Sequence, residues 1–486
     1  MLSILVAHSY FLRFDRKQFE RSKPYPPLAT LQVASMLREA GHRVHVFDAM
    51  LAEGVEEYEQ LLRTVQPQLV LFYEDSFNFL SKMCLERMRQ ACCEMLTMAR
   101  SAGARALAVG SDANDTPEPY LRAGADSVLF GEALPAVLTL TQRLALDPQL
   151  SVAQLIAGET GLAILVDGQV SAVRSAKPGS GRKQMEAPAW DLIDLERYRM
   201  TWQRAHGYFS LNMAASRGCS FRCNWCAKPI WGNQYLQRDA REVATEMIEL
   251  KRRFRPDHIW FADDIFGFRP DWVMEFGDAT RAAGGGLPFT IQTRADLVSP
   301  SMASALKHAG CTEAWIGAES GSQRVLDAMN KGTTIAEILT ARERLKAQDI
   351  RVGFFIQLGY LGEKLEDILA TRALIEQAVP DDVGVSVSYP LPGTAFYNQV
   401  KRQLGAKTHW QESSDLEMMF HGTYVSDFYR TVRDLLHERI TAEKLPAALR
   451  GDERRNAIQA LQRRWESLIA LEHVYRRESG VAVAVN

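Results

Sequence analysis

Three of the seven cysteines lie in one short stretch, Arg217-Gly218-Cys219-Ser220-Phe221-Arg222-Cys223-Asn224-Trp225-Cys226, in the pattern C-x3-C-x2-C. Thiolates this close converge on one metal centre, and soft sulfur selects an iron–sulfur cluster or zinc. A structural zinc needs four protein ligands, and no fourth Cys or His follows at finger-like spacing. Cys311 is remote in sequence, and His206 precedes the loop by more than ten residues. Three cysteines on a cubane would leave one iron open to a substrate. Cys84, Cys92 and Cys93 occupy apolar positions of a helical stretch and read as core.

Around this loop the chain alternates strand and helix signals in two runs. In residues 1–145 the buried strands are Leu2–Ala7, Arg43–Phe47, Gln68–Tyr73, Arg105–Val109 and Ser127–Phe130, with helical stretches such as Leu28–Ala40 and Leu80–Ala102 between them. This pattern predicts an open, Rossmann-like α/β sheet, whose ligands bind outside the carboxyl ends of the strands. Polar loops stand there: Gly110-Ser111-Asp112-Ala113-Asn114-Asp115 and Gly131-Glu132. Such loops suit either a bound cofactor or plain turns.

Residues 146–206 connect the two runs. They carry a hairpin, Leu162–Val166 and Gln169–Val173 around Asp167-Gly168, and a flexible stretch, Lys177-Pro178-Gly179-Ser180-Gly181. The second run, 207–415, has strands Ser210–Ala214, His258–Phe261, Phe289–Thr293, Ala314–Ile316, Val352–Leu358 and Val383–Val387. Six such units predict a partial (β/α) barrel with its chemistry on the loops at the strand C-termini. Residues 416–486 read as a helical C-terminal tail, with Ile458, Leu461, Trp465, Leu468, Leu471 and Tyr475 on one docking stripe.

Composition narrows the function classes. The 57 Lys+Arg against 59 Asp+Glu leave a net charge of −2, which argues against a dedicated nucleic-acid binder. The longest uncharged run, Val383–Val400, is broken by Pro390 and Pro392 and does not read as a membrane span. The first residues place a short apolar run before charges, the reverse of a signal peptide. With an odd number of cysteines, the expectation is a protein of the reducing cytoplasm.

C-x3-C-x-(aromatic)-C after a first barrel strand resembles the radical S-adenosylmethionine (SAM) enzymes. Later segments match a cobalamin-binding subgroup: Phe261-Ala262-Asp263-Asp264, Gln292-Thr293-Arg294-Ala295-Asp296, Gly317-Ala318-Glu319-Ser320-Gly321-Ser322, Gly359-Tyr360-Leu361-Gly362-Glu363 and Ser388-Tyr389-Pro390-Leu391-Pro392-Gly393-Thr394. With CNWCAKPIWG and HIWFADDIFGF, the set is most similar to the anaerobic magnesium-protoporphyrin monomethyl ester oxidative cyclase group. The resemblance implies a [4Fe-4S] cluster on Cys219, Cys223 and Cys226, whose open iron chelates SAM. It also implies reductive SAM cleavage to a 5′-deoxyadenosyl radical that acts on an unactivated carbon, by methyl transfer or by cyclase-like oxidation.

The same resemblance implies Trp225 against the adenine and Asp263 and Asp264 at the SAM amino group. Glu319 and Ser320 would serve the ribose or methionine moiety, and Arg294 the carboxylate. Cobalamin would lie on the first domain near Tyr73, Glu74, Ser111, Asp112, Gly131 and Glu132. The implied partners are a hydrophobic or planar small-molecule substrate and an electron donor such as flavodoxin or ferredoxin. Where a histidine serves as lower ligand of cobalamin, the motif is Asp-x-His-x-x-Gly. Here the chain reads Val6-Ala7-His8-Ser9-Tyr10-Phe11, so no histidine ligand is implied.

Overall fold

The computed structural model describes residues 1–78, 86–174, 186–226, 234–404, 416–444 and 451–477. Cys84, the Lys177–Gly181 stretch and residues 227–232 of the CNWCAKPIWG motif lie outside the described residues.

Short runs of apolar residues form the first sheet. Its strands are β1 (Ser3–Ala7), β2 (Arg43–Phe47), β3 (Leu69–Tyr73), β4 (Arg105–Val109), β5 (Ser127–Leu129), β6 (Leu162–Val166) and β7 (Gln169–Val173). All five residues of β3 are buried, as expected of a central parallel strand covered on both faces. The order is β2-β1-β3-β4-β5-β6-β7. The chain reverses direction of winding between β1 and β3, and a doubly wound sheet offers its binding crevice at that switch point.

The hairpin expected within the connecting segment 146–206 is instead part of this sheet, with β6 antiparallel to β5. Asp167 (φ 51°) and Gly168 (φ 75°) are both left-handed, so the two-residue turn matches the twist of its strands. Leu162 and Ala163 are buried beside β5, which is what draws the hairpin onto the sheet edge.

The second sheet is all parallel. It comprises β8 (Ser210–Met213), β11 (His258–Phe261), β12 (Phe289–Thr293), β13 (Cys311–Glu319), β14 (Arg351–Leu358) and β15 (Asp382–Val387). These strands lie side by side in chain order with β8 and β15 at the edges, an open barrel of six strands. Between β8 and β11 the chain adds a small antiparallel pair, β9 (Ser216–Gly218) and β10 (Tyr235–Gln237), which periodicity does not reveal.

Side chains of the large sheet sort by alternation. One face (Leu211, Ile259, Phe261, Ile291, Ile316, Phe354, Val387) packs under the helices at essentially zero exposure. A loop of the first domain packs on edge strand β8: the Tyr25 hydroxyl hydrogen-bonds Ser210, and Asn212 Nδ2 donates to the Pro26 carbonyl.

The tail forms helices over Ser426–Glu443 and Gly451–Ala470. Leu461, Trp465 and Leu468 are buried and Ile458 and Tyr475 half-buried, as the stripe predicts. Leu471 departs from it, at 48% exposure. The helix ends at Ala470, so Leu471 no longer follows its phase.

Candidate active site at the carboxyl edge of the barrel

The β9–β10 ribbon clamps the base of the cysteine loop. Gly218 has φ +82°, and a Cβ there would lie 2.2 Å from the Gln234 carbonyl oxygen, so this closure requires glycine. Cys219 is buried, while Cys223 and Cys226 are partly exposed. Among the described residues no three ligand-type side chains already stand at metal-binding geometry. The chemistry of the donor set nevertheless fits an iron–sulfur cluster, with three cysteines on one loop above the barrel.

Asn224, between two of those cysteines, fixes the loop to the barrel. Its N–H donates to the Met329 carbonyl (3.0 Å), its Nδ2 to Ala328 (2.6 Å), and its own carbonyl accepts from Phe396 N–H (2.9 Å). The Tyr360 hydroxyl donates to Asn224 Oδ1 (2.9 Å). Asn330 adds a bond to the Arg222 carbonyl. Three barrel loops thus hold the cysteine loop from one side.

Arg294, just past β12, holds it from another. Its guanidinium is 3.7 Å from the Phe221 ring centroid, and Nη1 donates to Cys223 Sγ at 3.8 Å. Nε and Nη2 are committed to the Asp296 carboxylate, and Nη2 also to the Lys331 carbonyl. In this structure Arg294 faces the cysteine loop, with most of its donors spent.

The sequence-predicted polar residues separate into two groups. Asp263 is fully buried, accepting from Ala215 N–H and the Ser216 hydroxyl, so it shapes the turn from β8 into the ribbon. Burial pushes its carboxyl up to about 7. Asp264 beside it is partly exposed. Ser320 accepts from Ser322 N–H and lies 3.3 Å from the Thr371 hydroxyl, which builds the turn after β13.

Glu319 is different. It is a non-glycine residue at φ +60°, next to a register shift in the β13–β14 pairing. Such a bulge re-aims a side chain at a strand end. Its Oε1 accepts from Lys331 Nζ at 2.7 Å, with both side chains only 6% exposed. Lys331 escapes sequence reasoning, because nothing in Asn330-Lys331-Gly332 announces a buried ammonium. Nearby, Trp225 Nε1, Thr333 Oγ1 and Ser388 Oγ are buried with no hydrogen-bond partner among the described residues. Unsatisfied buried polar groups are costly, and these three stand on the cysteine loop, the β13–β14 connection and the loop after β15.

Glu363, in the loop after β14, is fully buried and accepts from Gly359 N–H. Burial raises its carboxyl from 4.5 to about 8. Between those values the native protein holds a proton that the unfolded chain has released. Stability from this group is therefore full below pH 4.5 and falls as pH rises through about 8. Glu363→Gln keeps an acceptor for Gly359 and removes this titration. Thermal melts at roughly pH 5 and 8.5 should show a smaller loss in the variant, by a few degrees; equal losses would contradict the assignment.

On the first sheet, the switch point carries Ser9, Glu74 and Asp75. Glu74 Oε1 accepts from Ser9 N–H and Oγ, and Asp75 accepts from Ala29 and Phe77 N–H. The Tyr73 hydroxyl donates to the Glu132 carbonyl at 2.8 Å. Asp112 is held by Arg89 and Tyr120, and Ser111 is buried at the start of the same short helix. Gly131 (φ +73°) and Ala133 (φ +50°) form a left-handed turn at the end of β5. His8 is buried, its Nε2 within 3.0 Å of both Asp48 Oδ1 and Ala49 N. These bonds tie it to the turn after β2.

Arg217, two residues before Cys219, joins the two edges. It donates to Gln32 Oε1 (2.8 Å), pairs with Glu132 (3.2 Å) and lies over the Phe77 ring at 5.0 Å. Arg217→Met should retain the cysteine loop but loosen this junction. Hydrogen exchange around Gln32 and Glu132 should rise by ~1–3 kcal/mol of lost protection. Unchanged exchange there would refute the bridging role.

Comparison with known proteins agrees with this geometry. Residues 213–375 match the radical SAM superfamily. The chain carries a radical SAM domain. An uncharacterized methyltransferase of Pyrococcus horikoshii is 23% identical over 81% of this chain and 82% of its own length. The hopanoid C-3 methylase of Methylococcus capsulatus is 24% identical over 79% of this chain and 70% of its own. The anaerobic magnesium-protoporphyrin IX monomethyl ester cyclase of Cereibacter sphaeroides is 24% identical over 78% of this chain and 61% of its own.

Among solved structures, the radical SAM methyltransferase TsrM of Kitasatospora setae, with cobalamin and a [4Fe-4S] cluster, superposes at TM-score 0.65. The match covers 84% of this chain and 76% of that one at 16% identity. The cobalamin-dependent enzyme OxsB, with aqua-cobalamin and SAM, gives TM-score 0.67 over 97% of this chain and 72% of its own, at 15% identity. The fold is similar to that of these two structures: an α/β domain, an open parallel barrel and a helical C-terminal region. No helix among the described residues is long and apolar enough to cross a membrane.

Proposed function

We propose that this protein is a cobalamin-dependent radical SAM enzyme that transfers a methyl group to an unactivated carbon of a small hydrophobic molecule. The observation that carries the reading is the three-cysteine loop seated over the barrel mouth beside the buried Lys331–Glu319 pair. When bound, the cluster supplies the electron for SAM cleavage and cobalamin supplies a carrier for the methyl group.

The chain's own residues do the rest. Cys219, Cys223 and Cys226 hold the cluster, while Asn224 and Arg294 fix the loop that presents it. Lys331 has one carboxylate partner and further N–H donors, which suits the SAM carboxylate, while Glu319 suits the SAM amino group. Trp225 and Ser388 offer unspent hydrogen bonds to the nucleoside, and Asp263 and Ser320 keep the surrounding turns in place. Residues at the β1/β3 switch point and the Gly131–Ala133 turn would hold cobalamin, and Arg217 ties that edge to the cysteine loop through Gln32 and Glu132. His8 stays with Asp48 and does not ligate cobalt.

Methyl transfer is favoured because two relatives aligned over most of this chain, and TsrM, are named as methyltransferases or methylases. Cyclase-like oxidation is the second reading, supported by the cyclase alignment. Reduced protein loaded with cluster and cobalamin, given methyl-labelled SAM and extracts of candidate lipids, tetrapyrroles and peptides, tests the choice. Label appearing in one product class supports methyl transfer. Oxidised product without label would favour the second reading.

A further inference from the structure

Apart from Ser210 and Asn212, which meet a loop of the first domain, the inner face of the barrel sheet has no role so far. Its side chains alternate with the helix-facing core, and several are partly exposed: Trp260, Trp315 and Phe355 form its centre. Trp315 lies flat across the neighbouring strands because glycines stand beneath it. A Cβ at Gly353 would approach the indole to 2.5 Å, and one at Gly384 would lie 3.4 Å from it. Its Nε1 is tied down to Glu313 (2.8 Å), which directs the polar edge toward the floor of the barrel. Phe355 stacks beside it, with centroids 4.9 Å apart and planes 28° apart.

Toward the amino ends of β8, β11 and β12 a polar chain crosses the same face. Ser210 hydrogen-bonds His258 Nδ1, and His258 Nε2 hydrogen-bonds Thr290. Above it, toward the carboxyl edge, Gln357 is 4% exposed, and its Oε1 has no hydrogen-bond partner among the described residues. Gln357 alternates with Phe355 and Gly353 on β14, so it belongs to the same inner face. A buried amide oxygen without a donor is expensive unless a ligand supplies one.

We propose that this face binds the substrate: a flat, conjugated ring laid on Trp315 and Phe355, with an edge N–H or O–H donating to Gln357 Oε1. The inference rests on the radical SAM reading for its meaning, since Gln357 stands next to the carboxyl end of β14, on the edge that carries the cysteine loop. A flat ring gains aromatic stacking that a puckered one of equal size does not, and the glycines exist to keep the floor flat.

The test uses the full chain with its cluster reconstituted and three probes: 2-naphthol, its saturated counterpart decahydro-2-naphthol, and 2-methoxynaphthalene, which lacks the donor. Titration by calorimetry should show 2-naphthol binding at least about threefold more tightly than either of the others. Gly353→Ala should abolish the preference for the flat ring, and Trp315→Leu makes the same test should the alanine variant not fold. Gln357→Leu should abolish only the preference for the donor. Equal binding of the probes, no binding, or preferences unchanged by these variants would overturn the proposal. SAM cleavage measured on the same preparation separates the two readings. Cleavage without a ring preference defeats only the substrate class, and a ring preference without cleavage defeats the enzyme reading instead.

Discussion

Alanine at Cys219, Cys223 or Cys226 is expected to remove the visible iron–sulfur absorbance and SAM cleavage together. An open iron requires the other three to be held. Iron and sulfide content after anaerobic reconstitution is the check, and a variant that keeps both cluster and cleavage would end the assignment. Cys311→Ala is the control. Cys311 lies at the start of β13, at the amino end of the barrel, where burial pushes its thiol well above the ordinary range. Its removal should leave the cluster intact.

Lys331→Met should weaken SAM binding by ~1.5–3 kcal/mol, or about 10- to 100-fold in Kd, while the cluster persists. The variant also strands Glu319 as a buried carboxylate, which is itself destabilising. The double variant Lys331→Met with Glu319→Gln removes that stranded charge. It should regain stability in thermal melts without regaining SAM affinity by calorimetry. Recovery of both together would mean that Lys331 serves only to neutralise Glu319.

The strands were legible because parallel, doubly covered strands are continuous apolar runs. Arg43–Phe47, Arg105–Val109, His258–Phe261 and Phe289–Thr293 begin and end where the sequence pattern puts them. Asp167-Gly168 announced its turn for a local reason, the need for two left-handed residues. That the hairpin joins β5 was not legible, since pairing depends on which edge is free and not on the hairpin's own residues. The β9–β10 ribbon escaped because three-residue strands carry no period.

At the site, the cysteines announced themselves by spacing, but their supports did not. Asn224 works largely through its backbone and a short amide, and Lys331 through a fold-dependent encounter with a bulged Glu319. Gln357 gains significance only from the alternation of β14 and from an Oε1 without a partner among the described residues. Arg294 was recognisable as a site residue, yet its neighbours commit it to Asp296 and the cysteine loop. Those neighbours are brought together by the barrel and are distant in sequence.

The central claim is that this chain cleaves SAM by electron transfer from a cluster on the three-cysteine loop. Quantifying SAM-derived products by mass spectrometry, from reduced, cluster-loaded protein beside Cys223→Ala, tests it most directly. The account predicts 5′-deoxyadenosine from the native chain and only background from the variant. Native protein with cluster and SAM both bound, yet yielding no more 5′-deoxyadenosine than the variant, would contradict it.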